Sequence, residues 1–408
     1  MRRISIDQLP SVLAGLPENP RILASGNYAT PQTLLGAVDA ALPTYILHML
    51  NAQTSIPHRA GVTHETAFVG PGMRESKNLN YVPSRLSLLP VLIRDHLIPD
   101  VVLIHTSEIR FDTVSLGTEV NILPAAIEAA RAHGGIVIAQ ANKSMPYTYG
   151  DAQIYENEID FIVEVDEPLA VHHHKPLSPT ALAIGERIAE HVMSGSTLQM
   201  GIGVVPDAVL ELLKERTGLR IWTEMFSDGV FNLHKAGALD EEIPITASFV
   251  FGSQELYQWL HLNRRVRMLR TEKTNNPSEI AQQARMTSVN AALQVDLYDQ
   301  ANASRVRGGI YSGFGGSTDF IVGALHSRGG RSFMALPSWH AKSDSSTIIP
   351  LITQAVTSFQ HSYVVTENGA AACFGRSQSE QAHNLIEYAA HPNARVSLKI
   401  AAKEFGLL

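Results

Sequence analysis

The sequence predicts an α/β protein made of two related halves, each an open and largely parallel sheet with helices on its faces. Two observations lead there. Short apolar runs of strand length alternate with helix-period patterns, the order expected of parallel sheets. The same order then occurs twice, with Gly134-Gly135 and Gly329-Gly330 at corresponding places, 195 residues apart. That spacing is far too long for a solenoid repeat.

In chain order, Arg21-Ile22-Leu23-Ala24-Ser25-Gly26 reads as a buried strand, and a helical pattern through Leu34, Leu35, Val38 and Ala41 follows Pro31. Leu198-Gln199-Met200-Gly201 and the helical pattern Ala208 to Leu213 repeat the arrangement, with Pro206 again five positions after the glycine. Proline suits a first helical turn because its missing N–H would have no partner there. Asp100 to Thr106 is a strand run, Asn121 to Ala132 a helix pattern, and Ile136 to Gln140 the next strand. The second half supplies a strand at Leu293–Tyr298, a glycine-rich loop at 308–318, a helix at Asp319–Ser327 and a strand at Ser332–Leu336. The polar stretch 166–180 marks the boundary, giving domains 1–175 and 176–408, with the ligand site expected in the cleft between them.

With 408 residues the chain is long enough for two ordinary cores. A net charge of −7 offers no basic excess for nucleic acid as the main partner. No apolar run reaches the length of a membrane span, and residues 1–8 show no secretory h-region, so a cytoplasmic location is expected. The single cysteine, Cys373, excludes an intrachain disulfide and a cysteine-cluster metal site. His172-His173-His174 lacks metal-ligand spacing and reads as a surface linker; no metal is expected.

Five segments then resemble one family. Gln199-Met200-Gly201-Ile202-Gly203-Val204-Val205-Pro206-Asp207-Ala208-Val209, Thr223-Glu224-Met225-Phe226-Ser227-Asp228-Gly229, Tyr311-Ser312-Gly313-Phe314-Gly315-Gly316-Ser317-Thr318-Asp319, Ala335-Leu336-Pro337-Ser338 and Val364-Val365-Thr366-Glu367-Asn368-Gly369 are similar, in order, to landmarks of the acetyl-CoA hydrolase/4-hydroxybutyrate CoA-transferase family. The resemblance implies two CoA-transferase-like domains and acyl-CoA chemistry, with coenzyme A thioester and a carboxylate acceptor as substrates and no permanently bound cofactor. It is also compatible with a homodimer or larger homo-oligomer. Family transferases attack the thioester with a glutamate. The segment matching that glutamate's context is Asn290-Ala291-Ala292-Leu293-Gln294-Val295-Asp296, which places Gln294 at the position. A carboxamide is a poor nucleophile but donates and accepts hydrogen bonds. Hydrolysis with Gln294 orienting water, transfer through another nucleophile, and acyl-CoA binding without turnover therefore stay open; a sugar-phosphate isomerase is a remote fourth.

The resemblance assigns Gly369 an oxyanion-hole N–H, beside the plainer reading of a glycine at a turn. Gly313, Gly315, Gly316, Gly201 and Gly203 are candidates for close backbone approach to CoA or the acyl group, or for tight turns alone. Glu224 is the first candidate base for a water, with Asp228 and Glu367 behind it, and structural roles weigh against each. Asp296, two positions beyond Gln294, is expected to support it by hydrogen bonding. The run Arg264-Arg265-Val266-Arg267-Met268-Leu269-Arg270 is either a phosphate-binding patch or a solvated face.

Overall fold

The structure is a computed structural model and describes residues 1–172, 176–356 and 360–408. His173 and His174 of the histidine run lie outside them. The chain forms two compact units: residues 1–173, 244–274 and 310–315 make the first, and 174–243, 275–309 and 316–408 the second.

The first unit is built on strands β1 (Arg2–Arg3), β2 (Arg21–Ala24), β3 (Tyr45–His48), β4 (Val62–Thr66), β5 (Leu79–Tyr81), β6 (Val101–Thr106), β7 (Ile136–Asn142) and β8 (Phe161–Val165). They form one sheet in the order β1-β8-β7-β6-β2-β3-β4-β5, every neighbouring pair parallel. Parallel strands need crossovers, supplied among others by helices α1 (Gln32–Ala41) and α2 (Leu123–His133). β6 is buried along its whole length, as the unbroken run Val101-Val102-Leu103-Ile104 predicts. At the carboxyl ends of β2 and β3 the polar groups are paired internally. Asn27 donates to both oxygens of buried Glu119 (3.0 and 2.8 Å) and accepts from Asn51 at 2.9 Å.

In the second unit the main sheet contains β9 (Thr197–Met200), β10 (Arg220–Ile221), β11 (Thr287–Ala291), β12 (Arg331–Ala335), β13 (Tyr363–Thr366) and β14 (Gly369–Ala372). Their order is β10-β9-β11-β12-β13-β14; all pairs are parallel except β13 with β14, a hairpin. Helices α3 (Val204–Leu212), α4 (Asp228–Lys235) and α5 (Ser317–His326) follow β9, β10 and the 311–316 loop.

The strand expected at Leu293–Tyr298 needs correction. The sheet strand is β11, and Gln294–Asp296 is a separate short strand, antiparallel to Ala301–Asn302 and parallel to Ile348–Ile349. β11 hides from pattern reading because buried Ser288 and half-buried Asn290 interrupt its apolar alternation. Both reach Gln199 on the neighbouring strand, Ser288 donating to it at 2.6 Å and Asn290 at 3.4 Å, and Asn290 also donates to Ser288 on its own strand at 2.9 Å. A buried polar group is tolerated when its partner is built in.

Candidate active site at the carboxyl edge of the second sheet

In an open α/β sheet, ligands bind outside the carboxyl ends of the strands, where the strand order reverses. In the second unit that switch lies between β9, whose next strand in sequence pairs on one side, and β11, which pairs on the other. β9 runs out into Gly201-Ile202-Gly203, and β11 into Ala292-Leu293-Gln294. The same edge receives Glu224 beyond β10, Ser338 beyond β12 and Gly369 beyond β13. Gly369, Glu224, Gly201 and Gly203 therefore follow strands of one sheet at one edge, and Gln294, at the start of its own short strand, comes three residues after β11. With about 4.8 Å between neighbouring strands, β11, which leads to Gln294, stands roughly 10 Å from the strands leading to Glu224 and to Gly369.

Gln294 is half-buried, and its carboxamide has no hydrogen-bond partner among the described residues. Asp296 does not support it, against expectation. Its fully buried carboxylate accepts four hydrogen bonds instead: Oδ1 from the N–H groups of Tyr298 and Gln300 (both 3.0 Å), Oδ2 from Gln300 Nε2 and the Ile352 N–H (both 2.9 Å). It ties down the turn after Gln294.

The Gly201–Gly203 loop leads directly into α3. A Cβ on Gly201 would meet nothing within 4 Å, so packing gives no reason for a glycine there. Gly203 has φ +134°, which other residues rarely adopt. Gly369 is explained by the fold alone: φ is +150°, and a Cβ would stand 2.6 Å from the Tyr388 carbonyl oxygen.

Glu224 lies deep in the unit with part of its surface open. Its Oε2 accepts from Asn275 Nδ2 at 3.2 Å. Burial pushes its carboxyl up, and the Asp319 charge adds to this. The Asn275 hydrogen bond and the Gly316 N–H pull the other way, and the net position is about 7. A carboxyl at neutrality can both take and return a proton near physiological pH. Gly316 is required beside it, because a Cβ there would stand 2.1 Å from Glu224 Oε2. Nothing local in the sequence signals Asn275, which lies 51 residues further along the chain.

Asp228 is buried at the start of α4. Glu367 bridges strand ends, accepting from the Ser338 N–H at 2.9 Å and from the Ser338 hydroxyl. Gly313 and Gly315 belong to the first unit, where Cβ atoms would meet the Ala67 carbonyl oxygen at 2.4 Å and the Phe68 ring at 3.0 Å. The basic run forms the strand Val266–Met268 in that unit, and Arg270 is committed to Glu128 and Glu272.

Residues 252–402 match the model of the acetyl-CoA hydrolase/transferase C-terminal domain. The 4-hydroxybutyrate coenzyme A transferase of Clostridium kluyveri is 37% identical over 350 residues, covering 82% of this chain and 80% of that protein. A succinyl-CoA:acetate/propanoyl-CoA:succinate CoA transferase of Fasciola hepatica is 33% identical, covering 95% and 85%. Among solved structures, RipA from Yersinia pestis has a TM-score of 0.91 at 29% identity, covering 100% of this chain and 98% of that one. The 4-hydroxybutyrate CoA-transferase from Porphyromonas gingivalis gives 0.83 at 30%, covering 99% and 98%. Sequence likeness over four-fifths or more of the two CoA transferases, on an α/β fold that matches the solved structures, establishes that the chain belongs to the acetyl-CoA hydrolase/CoA-transferase family.

Proposed function

We propose that the protein hydrolyses a short acyl-CoA thioester at the carboxyl edge of the second sheet, with water as the acyl acceptor. The observation behind this reading is the combination of Gln294, a carboxamide with no partner among the described residues at the switch point, with Glu224, a carboxyl at about 7 on the same edge. A carboxamide in place of the family's attacking glutamate disfavours an anhydride route. It suits a group that orients water. Glu224 takes a proton as the water oxygen bonds to the thioester carbon. It returns that proton to the sulfur as the C–S bond breaks, giving a carboxylic acid and free CoA. The Gly369 N–H is the proposed oxyanion donor. The open Gly201–Gly203 loop ahead of α3 supplies N–H groups suited to the thioester's anionic portion.

The test mixes purified protein with acetyl-CoA and longer short-chain acyl-CoAs, with and without acetate or succinate, and follows free CoA and acyl exchange. Release without acceptor is expected, falling by about 10²-fold or more in Glu224→Gln and Gln294→Ala. Exchange that requires a carboxylate would overturn hydrolysis in favour of transfer. Tight acyl-CoA binding with neither outcome would overturn both and leave a binding protein.

A further inference from the structure

The two carboxyl oxygens of Glu224 are not equivalent in this fold. Oε2 is held by Asn275 at 3.2 Å and pressed against Gly316, where a Cβ would stand 2.1 Å from it and 2.2 Å from Asn275 Nδ2. The Gly316 N–H also bonds the carboxyl, and no described side chain donates to Oε1. Asn275 is fully buried, and the next residue anchors it: Asn276 caps the helix Pro277–Ala281, accepting from the Ser278 N–H at 2.9 Å. A free glutamate rotates broadly about its last torsion. A tether on one oxygen removes that freedom and fixes which oxygen faces outward.

We propose that Asn275 is a positioning residue, holding Oε2 of Glu224 at the start of α5 so that Oε1 alone meets the attacking water. This rests on the role given to Glu224 above. Gly316 is the other half of the cradle, since only a residue without a side chain leaves room for both the carboxyl oxygen and the carboxamide. Proton uptake and return then occur at one atom, Oε1, as the C–O bond forms and the C–S bond breaks. The charged group acting on the carboxyl is Asp319, fully buried on α5.

Two readouts separate this inference from the function it rests on. The first is the infrared carboxyl band of Glu224, identified by its absence in Glu224→Gln and titrated without substrate. The second is the pH profile of CoA release. In Asn275→Ala the loss of a donor to the charged form moves the band midpoint up by about one pH unit. The acid limb of kcat/KM moves with it and KM is unchanged. Gly316→Ala, whose φ of −94° accepts alanine, lowers kcat about tenfold or more while circular dichroism stays native. If the wild type releases CoA but neither band nor acid limb moves in Asn275→Ala, the positioning role is overturned and hydrolysis stands. If the band moves and no variant, wild type included, releases CoA, hydrolysis is overturned and the Asn275–Glu224 coupling stands.

Discussion

Replacing Asp296 tests how the turn carrying Gln294 is held. The carboxylate is fully buried and receives four N–H groups at 2.9–3.0 Å. Hydrogen bonds to a charged group are each worth about 1.5–3 kcal/mol, and an unsatisfied buried donor costs about 1–3 kcal/mol. The contributions do not simply add, because Tyr298 and Gln300 are only half-buried, where water can replace part of a lost hydrogen bond. The Ile352 N–H is buried and has no such substitute. Asp296→Ala should therefore cost about 3–5 kcal/mol. In a unit of roughly 200 residues each kcal/mol lowers Tm by about 2–4 °C, so the melt should fall by about 10 °C. Asn is no rescue, since either orientation of its amide aims an NH2 group at two of these donors; at least half the loss is expected. Gln294→Ala, two residues earlier and with no side-chain partner among the described residues, should stay within about 0.5 kcal/mol of wild type. Thermal melts by circular dichroism compare the three. An Asp296→Ala melt within about 2 °C of wild type would refute the reasoning.

Linkage at Glu224 gives a further expectation. Its folded value, about 7, lies above the unfolded 4.5, so the stability it contributes is complete below pH 4.5 and is lost as pH rises through 7. Urea titrations should show Glu224→Gln gaining on wild type across that window, by up to about 3 kcal/mol; equal slopes would contradict it. Glu65 has the opposite sign. Burial alone would raise it, but the hydrogen bonds and charges of His48 and Arg21 outweigh burial and hold it at about 2. Its stabilisation is present above pH 4.5 and disappears as pH falls towards 2, so Glu65→Gln should flatten the acid-unfolding curve of the wild type. Gly369→Ala, with φ +150° and a Cβ 2.6 Å from the Tyr388 oxygen, should lose about 1–3 kcal/mol, read as a lower Tm with or without acyl-CoA.

Much of the α/β order was legible because strands such as Val101–Thr106 are unbroken apolar runs and the turns carry Gly and Pro. Gly201, Glu224, Gln294 and Gly369 were legible as candidates through short motifs, and each sits just beyond a strand of one sheet. β11 was not, since Ser288 and Asn290 depend on Gln199, 89 and 91 residues away. Asp296 was misread for a related reason: alternation along a strand gives a direction, while its partners lie in a turn and at Ile352. Segments 244–274 and 310–315 join the first unit through pairings such as Arg267 with Tyr149, for which no local signal exists. Asn275 belongs with these, as one asparagine among many until the chain brings it to Glu224.

Cys373 is fully buried, and burial pushes its thiol far above the ordinary range, with the Asp299 charge adding to it. A thiol that is neither exposed nor ionised is silent towards disulfide reagents and alkylating labels. The chain has no other cysteine, so the folded enzyme adds no background when liberated CoA is counted by thiol chemistry. Reactivity that emerges under stress times the opening of the C-terminal core, and a cysteine engineered on the surface would take up label alone.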